Sequence, residues 1–181
     1  MAESPKFLDL APAPIPHPVK LIFLDVDGTL TDGIIGFLRD GDLRHFWVRD
    51  GLSLEWARES GMLPVIISGR ASLAVTARMH DLGLEHYLGA KDKVAIAETV
   101  LAREGIAWNA CAMIGDDLPD VPLFRRVGWA IAVADASPHV LPFVHGVTRE
   151  KAGFGAVREA VEHLLKHNGT FEQVLDRYEA R

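Results

Sequence analysis

From Val19 onward the chain repeats one pattern. A short run that is apolar throughout gives way to a polar or glycine-rich break, and then to a stretch with helical spacing of apolar residues. Four such runs stand out: VKLIFLDV, LPVIIS, ACAMIG and WAIAVA. Runs without polar alternation predict strands buried on both faces, as in parallel sheets. The stretches between them predict helices. SLEWARESG has Ser53 as its N-cap and stops at Gly61, ASLAVTARMHDLG stops at Gly83, and PLFRRVG is a shorter one. DKVAIAETVLAREG puts Val94, Ala97 and Leu101 on one face and stops at Gly105. AVREAVEHLLKHNG places Val157, Val161, Leu164 and Leu165 together and ends at Asn168-Gly169. Thr170 and Gln173 predict a capping box for a last short helix. Strands alternating with helices predict a Rossmann-like three-layer α/β/α domain with a mainly parallel sheet.

Two segments stand outside that alternation. Residues 33–49, GIIGFLRDGDLRHFWVR, hold two β-like runs around Asp40-Gly41 and predict a β-hairpin inserted after the first strand. Residues 1–18 are rich in Pro and Ala and predict a flexible arm, or a segment pinned on the surface, ahead of a domain spanning 19–181.

Composition narrows the function classes. A chain of 181 residues suggests one domain with a substantial core. The net charge of −6 argues against a nucleic-acid partner, and an anionic substrate would need a local cationic pocket or a metal. Cys111 is the only cysteine, so an intrachain disulfide and a zinc cluster are excluded. No apolar run approaches the roughly 20 residues of a membrane span, and the N-terminus lacks the layout of a signal peptide. These points predict a cytoplasmic protein without a membrane partner.

The candidate chemistry lies at the strand exits, where open α/β sheets bind ligands. The first strand ends in Asp25 and Asp27, the second in Ser68, Gly69 and Arg70, and the third in Asp116, Asp117 and Asp120. Lys93 opens the helix of DKVAIAETVLAREG. Carboxylates gathered on neighbouring strand ends repel one another by roughly 1 kcal/mol or more per pair. A divalent cation removes that penalty, and hard oxygen ligands without His or Cys favour magnesium over zinc. Taken alone, DxDG is a turn, SGR a helix start, GDDLPD a capped loop and Lys93 a surface charge. Their occurrence in order, each at a strand exit or helix start, points to a shared site.

With those motifs in place the sequence resembles the haloacid dehalogenase superfamily of phosphotransferases. DVDGT resembles its first motif, which makes Asp25 the nucleophile and Asp27 the general acid and base. Ser68 and Gly69 in IISGR match the phosphate-binding second motif, Lys93 the third-motif lysine, and GDDLPD the acidic fourth motif. The resemblance implies magnesium held by Asp25, Asp116 and the backbone carbonyl of Asp27, with Asp117 and Asp120 supporting the metal or the lysine. Thr29 and Arg70 are candidate substrate contacts.

DVDGTLTDG, VRDG, SGR, GDDLPD, AVADA and GAVRE together resemble the capless 3-deoxy-D-manno-octulosonate 8-phosphate phosphatases, over most of the chain from about Val19. This implies hydrolysis of a phosphorylated sugar acid through an aspartyl-phosphate, a place in lipopolysaccharide biosynthesis, and a homotetramer. Apolar residues on both runs of the hairpin predict that hairpins of several subunits pack together. The alternatives within the same subfamily are a phosphatase of nine-carbon ulosonic acid 9-phosphates and an inactive tetramerisation domain. Ala152, Phe154, Ser53 and Trp47 depart from residues common in the family, but none of them belongs to the chemical motifs.

Overall fold

The computed structural model describes residues 6–8 and 13–181. Its main sheet has six strands in the order β5-β4-β1-β6-β7-β8. They are β1 (Leu21–Leu24), β4 (Leu63–Ser68), β5 (Glu85–Leu88), β6 (Cys111–Gly115), β7 (Trp129–Ala132) and β8 (Gly146–Val147). Every pairing in it is parallel. β1 is central, pairing Leu24 with Ile66 on one side and with Ile114 on the other.

Alternate residues of each strand feed opposite faces. Ile22, Leu24, Ile66, Ile114 and Ile131 pack beneath α1 (Val48–Glu59), α2 (Leu73–Asp81) and α5 (Ala156–His167). Phe23, Val65, Ile67, Met113 and Ala130 pack beneath α3 (Lys93–Glu104) and the short α4 (Val121–Phe124). The three layers of the sequence reading are present, and the four apolar runs are β1, β4, β6 and β7. A last helix, α6 (Phe171–Arg177), follows α5. Among the described residues no helix is long and apolar enough to cross a membrane.

Several local expectations are corrected. The helix α1 starts at Val48, well ahead of Ser53. Ser53 is a buried mid-helix residue whose hydroxyl donates to the carbonyl of Asp50 at 2.7 Å, the back-bond open to a serine inside a helix. At α6, Thr170 sits in the αR region and makes no side-chain cap. Its hydroxyl turns to the carbonyl of Leu165 instead, so the capping box does not form. Strands β5 and β8 were not foreseen.

The hairpin is a separate two-stranded sheet of β2 (Gly36–Leu38) and β3 (Gly41–Leu43). Leu38 pairs with Gly41, so the turn residues are Arg39 and Asp40, one step earlier than the sequence suggests. In the Pro/Ala-rich arm, residues 1–5 and 9–12 lie outside the described residues. Phe7 bridges Val147 at the edge of the sheet, and Leu8 and Ile15 are buried. These parts of the arm are pinned rather than free.

Candidate active site

The exits of β1, β4 and β6 and the start of α3 open into one cleft of about 660 Å³. Asp25, Asp27, Ser68, Gly69, Arg70, Lys93, Asp116, Asp117 and Asp120 all line it. The placement follows from the sheet. Asp25 leaves central β1 with its amide donating to the carbonyl of Ile114 at 3.1 Å, which locks it beside β6 and hence beside Asp116. Asp92 caps α3 by accepting the amides of Val94 and Ala95, and Lys93 enters the cleft from that first turn.

Lys93 is the hub. Its buried Nζ donates to Oδ1 of Asp25 at 2.5 Å and to Oδ1 of Asp120 at 2.7 Å. Oδ2 of Asp120 accepts the amides of Asp116 and Asp117 at 3.0 and 3.4 Å. Asp120 is therefore spent on the lysine and on the fold of its own loop. Asp116 accepts the Thr29 hydroxyl at 3.2 Å on Oδ1. Thr29 has a structural partner in the site. It is wholly buried, is not among the residues lining the cleft, and holds Asp116. Ser68 is nearly buried, and its hydroxyl accepts the amide of Arg70 at 3.3 Å.

Carboxylate atoms of Asp25, Asp116 and Asp120 lie within 4.8 Å of one another. Burial, then the charge of Asp120, pushes the Asp25 carboxyl up to about 6 even though Lys93 pulls it down. Burial, followed by the charges of Asp25 and Asp120, pushes Asp116 up to about 7. For Lys93, burial works against the charge, but Asp25 and Asp120 outweigh it and the ammonium is stabilised. One cation does not balance this cluster.

The donor set fits a hard divalent cation, because Asp25, Asp116 and Asp120 bring carboxylate oxygens, and no nitrogen or sulfur, within 4.8 Å of one another. Gly28 leaves the room. A Cβ there would stand 2.3 Å from Oδ2 of Asp116, and its φ of +91° already favours glycine.

Asp27 has different company. Its Oδ1 accepts from Nε of Arg44 at 2.7 Å, and Nε of Arg70 lies 3.6 Å from Oδ2. Arg44 was missed in the sequence, where it is one charge among several in the hairpin. Asp50 was missed as well. Buried in α1, it accepts the amides of Gly155 and Arg158 at 3.3 and 2.7 Å and so anchors the start of α5. The loop before α5 closes tightly on the segment after β1, where a Cβ at Gly153 would stand 2.5 Å from the amide of Asp32. Two of the atypical residues, Trp47 and Phe154, pack on each other with ring centroids 5.9 Å apart.

Known proteins resemble this chain in sequence and fold. The sequence pattern of the haloacid dehalogenase-like hydrolases matches residues 89–161. The 3-deoxy-D-manno-octulosonate 8-phosphate phosphatase of Escherichia coli K12 is 40% identical over 157 residues, 86% of this chain and 84% of that protein. The crystal structure of the corresponding Moraxella catarrhalis phosphatase, in complex with magnesium ion, phosphate ion and a KDO molecule, superposes with a TM-score of 0.85. It is 35% identical, with 88% of this chain and 93% of that chain covered. A hypothetical protein of Xanthomonas campestris gives a TM-score of 0.90 at 34% identity, covering 99% and 100% of the two chains.

The raised carboxyls predict a pH-dependent effect of metal on stability. With folded values of about 6 and 7 against 3.8, the metal-free folded state binds more protons than the unfolded state. Its stability therefore falls as pH rises from about 4 to 7. Asp50, raised to about 6 by burial, adds to the fall independently of metal. A cation favours the ionised carboxylates, so magnesium should raise the melting temperature more at pH 7.5 than at pH 5. Circular-dichroism melts in EDTA and in magnesium check this. An equal magnesium effect at both pH values would contradict it.

Proposed function

The chain belongs to the haloacid dehalogenase-like hydrolases, in the group of 3-deoxy-D-manno-octulosonate 8-phosphate phosphatases, and we propose from this that it hydrolyses that phosphorylated sugar acid in a magnesium-dependent reaction. One observation carries the reading: Asp25, Lys93 and Asp120, all buried, and half-buried Asp116 form a single charge cluster at the mouth of the central strand. This is where attack on a phosphate needs a nucleophile beside balancing cations.

Asp25 attacks phosphorus in line. Its Oδ–P bond forms as the bond from phosphorus to the sugar oxygen breaks, giving an aspartyl-phosphate. Asp27 gives its proton to the departing sugar oxygen. It then takes a proton from the water that attacks phosphorus and frees Asp25. Lys93 and Ser68, with the backbone at Gly69, hold the phosphoryl oxygens as negative charge shifts during transfer. Asp25, Asp116 and the backbone carbonyl of Asp27 would hold Mg²⁺, which when bound neutralises charge and orients a phosphate oxygen. Asp117 and Asp120 keep the acidic loop in place. Arg70, exposed at the cleft rim and near Asp27, is suited to the sugar carboxylate, because guanidinium pairs well with carboxylates.

We propose further that the hairpin assembles four copies. Phe37 is 82% exposed, Ile34 66% and Leu38 61%, which is too much apolar surface for a free two-stranded ribbon. Hairpins packed together would cover these residues and bring one subunit towards its neighbour's cleft, over which the described residues form no cap domain.

Phosphate release from eight- and nine-carbon sugar acid phosphates, with and without magnesium, tests the activity. The eight-carbon ester should turn over fastest, and folded Asp25→Asn should lose at least about a hundredfold in kcat. Faster turnover of the nine-carbon ester would reassign the substrate. Absence of any turnover would favour an assembly role, and an active Asp25→Asn would remove the nucleophile. For assembly, light scattering should give a tetramer for the native chain and a smaller species for Phe37→Glu. A clean native monomer would end that proposal.

A further inference from the structure

We propose that Arg44 is a positioning residue for the carboxyl of Asp27, so that the hairpin itself sets the geometry of proton transfer. The inference rests on the reading of Asp27 as general acid and base. The side chain of Arg44 is 0% exposed, although it belongs to a hairpin that is otherwise largely open. Its Nε donates to Oδ1 of Asp27 at 2.7 Å, and its Nη1 pairs with Oδ2 of Asp42 at 2.7 Å. The remaining nitrogen, Nη2, is buried with no hydrogen-bond partner among the described residues.

A guanidinium buried with one donor unsatisfied is a poor way to stabilise a hairpin. Desolvation offsets much of what the pairing returns, and an exposed pair would avoid that cost. What the burial does achieve is rigidity. The planar fork is fixed at one edge by the hairpin's own Asp42 and presents the other edge to Asp27. Oδ1 of Asp27 is held, and Oδ2 is left beside Arg70 on the wall of the cleft. Asp27 therefore offers one oxygen to the sugar oxygen that departs, and later to the incoming water, without a torsional search. Small misplacements of such a group are costly to rate but not to binding.

Arg44 acting through Asp27 has a signature that a purely structural role lacks. With Mg²⁺ and 3-deoxy-D-manno-octulosonate 8-phosphate, Arg44→Gln should lower kcat by about 30- to 100-fold, a sizeable part of what general acid–base catalysis contributes. KM should stay within about threefold. The burst of nitrophenol from 4-nitrophenyl phosphate should change little, because that leaving group needs no proton. The double variant Asp27→Asn/Arg44→Gln should be no slower than Asp27→Asn alone. If circular dichroism shows Arg44→Gln unfolded, Arg44→Lys carries the same cycle, with a smaller kcat loss and the same lack of additivity. Losses that add, or an Arg44 variant with native kcat beside an impaired Asp27→Asn, would overturn the proposal alone. Native turnover by Asp27→Asn would overturn the acid–base reading and this proposal with it.

Discussion

The bond pair from Lys93 to Asp25 and Asp120 is the interaction on which the site depends. It joins the end of β1, the start of α3 and the loop after β6 through one buried ammonium. Removing that ammonium would leave two carboxylates buried and unpaired, which is far costlier than the pair is stabilising. Its single charge stands against three carboxylates whose oxygens lie within 4.8 Å of one another, and burial, more than their mutual repulsion, raises the carboxyls of Asp25 and Asp116. The shortfall is chemically useful. It leaves a cluster that welcomes a divalent cation and a phosphate together and is strained without them.

The fold supplies this cluster with very little specialised structure. Because β1 is central, its exit is flanked by those of β4 and β6, and each exit contributes to the cleft. The register of β1 with β6 continues one residue beyond the strand, in the amide bond from Asp25 to Ile114. Thr29, Asp120 and Asp50 then do quiet work behind the surface. Thr29 orients Asp116, Asp120 folds the acidic loop, and Asp50 secures the helix whose leading loop lies against the segment after β1.

What the sequence reveals follows from where each signal resides. Buried parallel strands announce themselves as apolar runs, so β1, β4, β6 and β7 are plain. β5 reads EHYL, is only half-buried at the sheet edge and has no such run, and β8 is two residues long. The cleft-lining residues at strand exits are legible because strand ends predict position. Arg44 and Asp50 are not, because their roles come from contacts 17 and more than 100 residues away. The bond from Thr29 to Asp116 is hidden for a related reason. The place of Thr29 in the motif is visible, but the direction of its side chain is a tertiary fact. The helix start at Val48 has no side-chain cap to signal it, whereas Ser72 and Asp92 do cap their helices.

The hairpin joins the proposed chemistry to the proposed assembly. One of its side chains grips Asp27, while its tip presents aromatic and aliphatic residues outward. The central claim remains that Asp25 carries the phosphoryl group between its two transfers. Quenching turnover with borohydride reduces an aspartyl-phosphate to homoserine, which mass spectrometry locates within the tryptic peptide of residues 21–39. Reduction at Asp25 is the predicted result; reduction at Asp27, or at no aspartate during active turnover, would contradict the account.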